Sequence, residues 1–348
     1  MTYGRTTYRV EFACSPLFET ALGIAAATYP QIYPTLEKPA SYWEQMITAL
    51  PPAIRSEVHY AQKHNTWKTL LQLLQQEAFG DLGTFLDYVK QLDPVELRRH
   101  SLPYLGTAME ETRSEAAGGD RDSAEKLIRF CRGHKFFPAY IRFVSEADVE
   151  ELRRHLTVLM EGWYRTHVEP MEEDLRRILE RDVDQKQTMQ SKLSPEDLVE
   201  WATGGIQYPP EPGVMRVLLI PHAIYRPWNI QADAEQTKIF YFPVSDESLY
   251  GEIDPYRPPQ MLVQSLKALG DEHRLRIVRL LAEQDRSLQE LKDKLALAKS
   301  TVHHHLSMLR SAQLVTVSGD KYALKPAALD RLPALWQRFL QRPETDHA

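Results

Sequence analysis

Cysteine is nearly absent from this sequence: Cys14 and Cys131 are the only two in 348 residues. Two are too few for a disulfide framework, no Cys-x-x-Cys pair is present to start a zinc ribbon, and both are expected to be buried thiols. Glycine is sparse as well, and fifteen residues, several of them at expected helix ends, leave little for the Gly-rich loops that cradle phosphates. There is no Gly-x-Ser-x-Gly elbow, no His-Glu-x-x-His zinc helix and no dinucleotide-binding fingerprint. No catalytic residue and no cofactor is therefore expected, although catalytic groups dispersed along a chain need no motif. Long apolar runs are missing too. The stretch from Ala21 to Tyr33 is short and ends in prolines, and "MTYGRTTYRVEF" has no basic leader followed by an apolar core. Neither secretion nor membrane spanning is expected, which makes the cytoplasm the expected location.

What the chain does have is globular material of two electrostatic kinds. Hydrophobic residues make up 43% and charged residues 26%, enough over this length for two domains, each with its own core. The net charge of −6 is unevenly spread: Met261 to Ala348 holds 14 Lys/Arg against 10 Asp/Glu, leaving 28 against 38 before it. An acidic body precedes a mildly basic end, and an anionic partner is expected to meet the end.

Along the body, "RTTYRVEFA" alternates around Tyr8, Val10 and Phe12 and predicts a strand, after which Ser15-Pro16 opens a helix through "LFETALGIAAA". Several short helices are expected between Tyr42 and Leu97, including "TWKTLLQLLQQEA", and "EAAGGDRDS", Glu115 to Ser123, is expected to be a polar loop. From Glu146, Val149, Leu152, Leu156, Met160, Trp163 and Tyr164 recur at helical spacing and Leu175, Ile178 and Leu179 continue it. This is one long helix kinked at Pro170, or two helices. "SPEDLVEWATGG" reads as a capped helix, and "VMRVLLIP" and "KIFYFPV" read as strands that pair with each other and potentially with the first. "SDESLYGEIDPYRPPQ" has the composition of a linker.

In the last quarter, "MLVQSLKALG" predicts a helix ending at Gly270, and "DEHRLRIVRLLAEQ" predicts another, capped by Asp271. "SLQELKDKL" opens on the capping box Ser287-x-x-Glu290, and a short turn leads into "KSTVHHHLSMLRSAQ". "LVTVSGDKYALK" alternates Val315, Val317, Tyr322 and Leu324 about Ser318-Gly319-Asp320, the pattern of a β-hairpin. Helix, helix, helix-turn-helix, hairpin is the order of a winged helix. In these blocks the chain resembles the ArsR-type (arsenical-repressor-like) winged-helix transcription regulators of bacteria. "KALGDEHRLRIVRLL", "LQELKDKLALAKSTVHHHLSMLRSAQLV" and the hairpin follow in order at family spacing. The body, with "VEFACSPLFET" and "RVLLIPHAIYRPW", is similar to an N-terminal domain of unknown function fused to such winged helices. Two departures stand out. Ala296 occupies a turn position where the family usually has glycine, and Ala298 one where a capping serine is common, a loss of about 1 kcal/mol of helix-start stability.

The run His303-His304-His305 raises the question of a metal. Successive helical residues point about 100° apart, whereas metal pairs on one helix need spacings of three or four, so the three cannot jointly hold one ion. With Val302, Leu306 and Leu309 facing inward, Ser300 and His304 lie opposite, Thr301, His303 and Ser307 flank them, and His305 sits beside the core. Ser300, Thr301, His303, His304 and Ser307 are therefore expected to approach DNA in the major groove, with Lys299 and Lys321 as phosphate contacts. The bland alternative leaves all of them as solvated surface. The resemblance implies metal sensing through cysteines in the first helix of the motif or His and acidic pairs on the last helix. "SLQELKDKL" and "PAALDRLPALWQRFLQR" contain neither Cys nor His, so no metal is expected at those places. Cys131 and His134 offer half a site and are expected to serve packing.

The expected fold is mainly α with small β-sheets (α+β): an α-rich N-terminal domain with a small sheet over 1–244, a linker over 245–258, and a winged helix-turn-helix over 259–343. The expected function is DNA-binding transcription regulation through a recognition helix at 299–312 and a wing at 314–324. Double-stranded DNA is the expected partner, with a homodimer and a small-molecule or protein effector acting on the N-terminal domain. The resemblance implies that the helices around Met261 to Leu269 and Ala327 to Leu340 help build the dimer, with Leu329, Leu332, Leu335, Trp336 and Phe339 as apolar face. The alternative is an enzyme, or a protein-interaction module whose winged helix makes protein contacts. Trp163, Tyr164, Tyr225 and Trp228 are expected to be core in preference to lining a ligand pocket.

Overall fold

Strand β1, Arg9–Phe12, finds its partner some two hundred residues later. It pairs in parallel with β2, Arg216–His222, placing Val10 opposite Val217. β2 is parallel in turn to β4, Thr237–Pro243, while β3, Ile230–Ala234, runs antiparallel beside β4, giving the order β1-β2-β4-β3. The parallel arrangement accounts for the unbroken apolar character of "VLLIP" and "IFYF": strands covered on both faces need no polar alternation. β3, "IQADA", lies outside the strands that the sequence predicts.

The structure, a computed structural model, describes residues 7–251, 256, 258–318 and 320–341, and the chain divides into two units, Met1–Val244 and Ser245–Ala348. In the first unit, Ser15 accepts from the Leu17 amide to start the helix Pro16–Ala27, which is buried on every side. That all-round burial fits its apolar composition. Close packing there depends on Gly23, where a Cβ would sit 3.0 Å from Nε1 of the buried Trp163. The long helical pattern resolves into two α-helices, Val149–Trp163 and Glu172–Gln187, joined by a π-helical turn, Tyr164–Val168, and a 3₁₀ turn, Glu169–Met171. Pro170 lies in the 3₁₀ turn, where its missing N–H does least harm.

One expectation needs correction. Glu115 to Ser123 is not a loop: Glu110–Ala117 and Arg121–Phe130 are helices, leaving only residues 118–120 between them. Ala116 and Ala117 are buried, and Asp120 accepts from the Ser123 amide as an N-cap, so the polar Asp120 starts a helix.

In the second unit, Ser245 caps a short helix, Asp246–Tyr250, so the linker-like stretch begins with ordered structure; residues 252–255 and 257 lie outside the described residues. The helices Gln260–Leu269, Glu272–Glu283, Leu288–Leu295 and Lys299–Ser311 follow, then the hairpin β6, Val315–Ser318, and β7, Lys321–Leu324, and the helix Pro326–Leu340. A two-residue strand, β5, Arg286–Ser287, pairs with β7 and makes the order β5-β7-β6. The whole chain is mainly α with small sheets. Among the described residues, no helix is long and apolar enough to cross a membrane.

Candidate nucleic-acid interface

The helix-turn-helix is assembled by local chemistry. Asp271 accepts from the Arg274 amide to start Glu272–Glu283, and the guanidinium of Arg274 donates to the carbonyls of Lys267 and Ala268, closing the preceding helix. The amide hydrogen bond from Arg274 also holds the Asp271 carboxyl below its ordinary range. Ser287 and Glu290 form the reciprocal capping box that the sequence predicts, and the Ser287 amide, donating to Glu290, lowers that carboxyl. The turn departs from the favourable arrangement at both alanines. Ala296 has φ +56°, in the left-handed region, and Ala298 makes no side-chain cap to the next helix.

That next helix, Lys299–Ser311, buries Val302, Leu306 and Leu309 against Ile277, Leu281, Leu291, Leu295 and Leu314. Burying this face dictates what the other face shows. Lys299, Ser300, Thr301, His303 and His304 are exposed and Ser307 is half-buried, all on the helix; Lys321 is exposed on β7, in register with Ser318. Gly319, at the tip of the wing, lies outside the described residues. The expected contact residues thus fall on one helix and one strand of the same small domain, and Arg286 knits strand to helix by donating to the Leu280 carbonyl and to Glu283.

Residues 271–317 match the family described as bacterial regulatory protein, arsR family. This stretch is an ArsR-type helix-turn-helix. The ArsR match covers the capped helix Glu272–Glu283, the capping-box helix, the helix Lys299–Ser311 and most of β6. No curated protein and no solved structure is detectably similar to the chain.

The ArsR-type unit contains a cluster that local spacing did not reveal. Asp271, His273 and His305 bring one ligand atom each within 4.8 Å of one another. His305 is 9% exposed, its Nδ1 lies 3.8 Å from Oδ1 of Asp271, and its ring stacks on that of His273 with centroids 5.6 Å apart. Burial holds the His305 imidazole below its ordinary value, with Asp271 opposing the shift and Arg274, His273 and His304 adding to it. The three residues are 32 to 34 positions apart across the fold in the case of His305, so no helical spacing rule signals them.

The other candidates lie in different surroundings. Cys131 is buried with Leu127, Tyr140 and Ile141, while His134 is exposed and its Nδ1 accepts from the amides of Phe136 and Phe137, serving the start of a helix. Trp163 and Tyr164 are buried, and Tyr225 and Trp228 are half-buried, with the Trp228 indole donating to Thr35.

Proposed function

We propose that the protein is an ArsR-like transcription regulator that binds operator DNA through the recognition helix and wing of its second unit, without enzymatic activity, in the cytoplasm. The observation that carries this reading is the exposed run Lys299, Ser300, Thr301, His303 and His304 at the start of an ArsR-type recognition helix. A helix-turn-helix inserts that end into the major groove, where hydroxyl and imidazole groups meet base edges. Lys299 and Lys321 contact phosphates, and Ser307 completes the face.

One recognition helix reads too few base pairs for genomic specificity, and two-fold pairing places two of them in successive grooves. The dimer face lies on Gln260–Leu269 and Pro326–Leu340. Pro258, Leu262, Val263, Leu266, Trp336 and Phe339 line an apolar groove there, and Met261, Leu266, Trp336 and Leu340 remain exposed in the single chain. A second copy of this chain covers that face. The division proposed is an effector-responsive or oligomerising domain over 1–244, a connection over 245–258 and the DNA-binding domain over 259–343. An effector acts by binding the DNA-competent and DNA-incompetent states unequally.

Fluorescence anisotropy on a duplex from upstream of the protein's own gene, against a scrambled duplex and across a salt series, tests this. A preference for the first duplex with a steep logarithmic salt slope is expected. Ser300→Ala with His304→Ala should weaken specific binding far more than non-specific binding. Weak, equal binding to both duplexes at every salt would favour a winged helix that contacts protein.

A further inference from the structure

We propose that Asp271, His273 and His305 form a binding site for a divalent transition-metal ion of the Zn²⁺ class, tying the recognition helix to the start of the helix Glu272–Glu283. Imidazole and carboxylate are the ligands such borderline ions take, and a three-residue set leaves a position open for water or an exchangeable ligand. The set also lies outside the segments where the ArsR resemblance implies metal ligands.

Two independent observations carry the site. The first is convergence: one ligand atom from each residue falls within 4.8 Å of the others. A tetrahedral ion with bonds of about 2.0–2.1 Å needs ligand atoms roughly 3.3 Å apart. The contraction is small, and Asp271 and His273 are half-buried at a helix start. The second is His305 itself. It is 9% exposed, and its Nδ1, turned toward Asp271, has no hydrogen-bond partner among the described residues. Burying an imidazole nitrogen unpaired costs free energy, about 1–3 kcal/mol for a neutral group. At 3.8 Å, Asp271 is too far to satisfy it by a hydrogen bond. An ion between them would satisfy that nitrogen and both partners at once. The nearby cation is Arg274, whose Nε and one terminal nitrogen are engaged by backbone carbonyls, leaving the other 3.9 Å from Oδ2 of Asp271.

The placement gives the site a consequence that rests on the DNA-binding reading above. His305 is on the recognition helix, next to His304 on the exposed face. Ligation of His305 holds that helix in one rotation and so alters duplex affinity to the extent that the bound and free states differ.

The full-length protein, stripped with a chelator, should bind Zn²⁺ at one equivalent per chain with micromolar or tighter affinity by calorimetry. Co²⁺ should give d–d absorption without the intense thiolate band, because no cysteine takes part. His273→Ala, at a half-buried position that threatens the core least, should weaken Zn²⁺ more than about 100-fold, beyond what loss of an outer-sphere partner costs. Asp271→Asn, which keeps a capping oxygen, should do likewise, whereas His304→Gln should retain binding. Absence of saturable one-to-one binding, or binding indifferent to His273→Ala in a protein with unchanged circular dichroism, would overturn the site. Saturating Zn²⁺ should change duplex affinity in the wild type and not in His273→Ala. Intact one-to-one binding with unchanged duplex affinity would overturn the tie to the recognition helix. Failure to bind DNA with or without Zn²⁺ would count against the DNA reading and leave the metal site standing.

Discussion

The two units of this chain bury polar groups to different extents. The first unit encloses whole ionisable networks: Lys186 donates to Asp182 at 2.6 Å under the ring of Phe242, and the carboxylate of Glu19 accepts from the Ala223 amide at 2.9 Å. Arg226 is buried between Glu37 and the Val244 carbonyl, and fully buried His222 meets the Trp228 carbonyl. The core of the second unit is mostly aliphatic, with Ile277, Leu281, Leu291, Leu295, Val302, Leu306 and Leu309 at its centre, and fewer ionisable groups, Arg286 and His305, are buried there. A small domain that must present a rigid helix does well with side chains that ask only for volume. A larger unit can hold polar networks, which are costly to break, although Nδ1 of His222 has no hydrogen-bond partner among the described residues.

The largest effect is expected where a charge is left buried alone. Asp182→Ala strands the Lys186 ammonium and should destabilise the first unit by about 3–5 kcal/mol, whereas an apolar replacement of both should cost far less. Tryptophan fluorescence during denaturant unfolding reads this cleanly, since five of the six tryptophans precede Ser245 and Trp336→Phe removes the sixth. Equal losses from the single and double replacements would show that Lys186 is not stabilised by pairing with Asp182. In the second unit the matching perturbation is a cavity. Leu306→Ala, at a position 1% exposed, should cost about 2–5 kcal/mol and release amide protons along Lys299–Ser311, with the tryptophan-reported transition unmoved.

A third test uses pH to separate the units. Burial pushes the Glu19 carboxyl up from 4.5 to about 8. Between those values the folded chain holds a proton that the unfolded chain lacks, so this contribution is complete below pH 4.5 and is lost as pH rises through 8. Fully buried His222 is pushed down to about 3 and acts oppositely, contributing above pH 6.5 and losing its contribution as pH falls. From pH 6.5 to 8, of these two only Glu19 acts. Stability of the first unit should fall with a slope of up to about 1.4 kcal/mol per pH unit, and Glu19→Gln should flatten it. A slope unchanged in Glu19→Gln would assign the dependence elsewhere.

The same contrast governs what the sequence makes legible. The helix-turn-helix is written in local signs: the Ser287 capping box, the Asp271 cap, and Val302, Leu306 and Leu309 at spacings of four and three. Those signs also place the expected DNA-facing residues on one surface. The first unit depends on pairings such as Val10 with Val217, and parallel strands joined by some two hundred residues carry no local mark of their partner. β5 carries no sign because two residues are too few to show a period, and β3 because its alternation, "IQADA", spans five residues of which only Ile230 favours a strand. The cluster of Asp271, His273 and His305 escapes for a related reason. The helical spacing puts His305 beside the core, but what it faces there comes from another helix.

The smallest effect sharpens the comparison at the level of a single backbone angle. Both units end a helix on a non-glycine residue in the left-handed region, Asn65 at φ +58° and Ala296 at φ +56°. Asparagine as a residue type tolerates the left-handed region better than alanine, whereas the methyl of Ala296 meets the steric cost of about 1–2 kcal/mol. Glycine removes that cost but brings extra unfolded-state entropy. Ala296→Gly should therefore raise the stability of the second unit by up to about 1 kcal/mol, and Asn65→Gly should do little for the first. If Ala296→Gly also leaves specific DNA binding intact, the departure from the family's glycine is a tolerated local strain. If it stabilises the unit yet weakens binding, the strained turn helps aim the recognition helix, and the aliphatic core alone does not set its orientation.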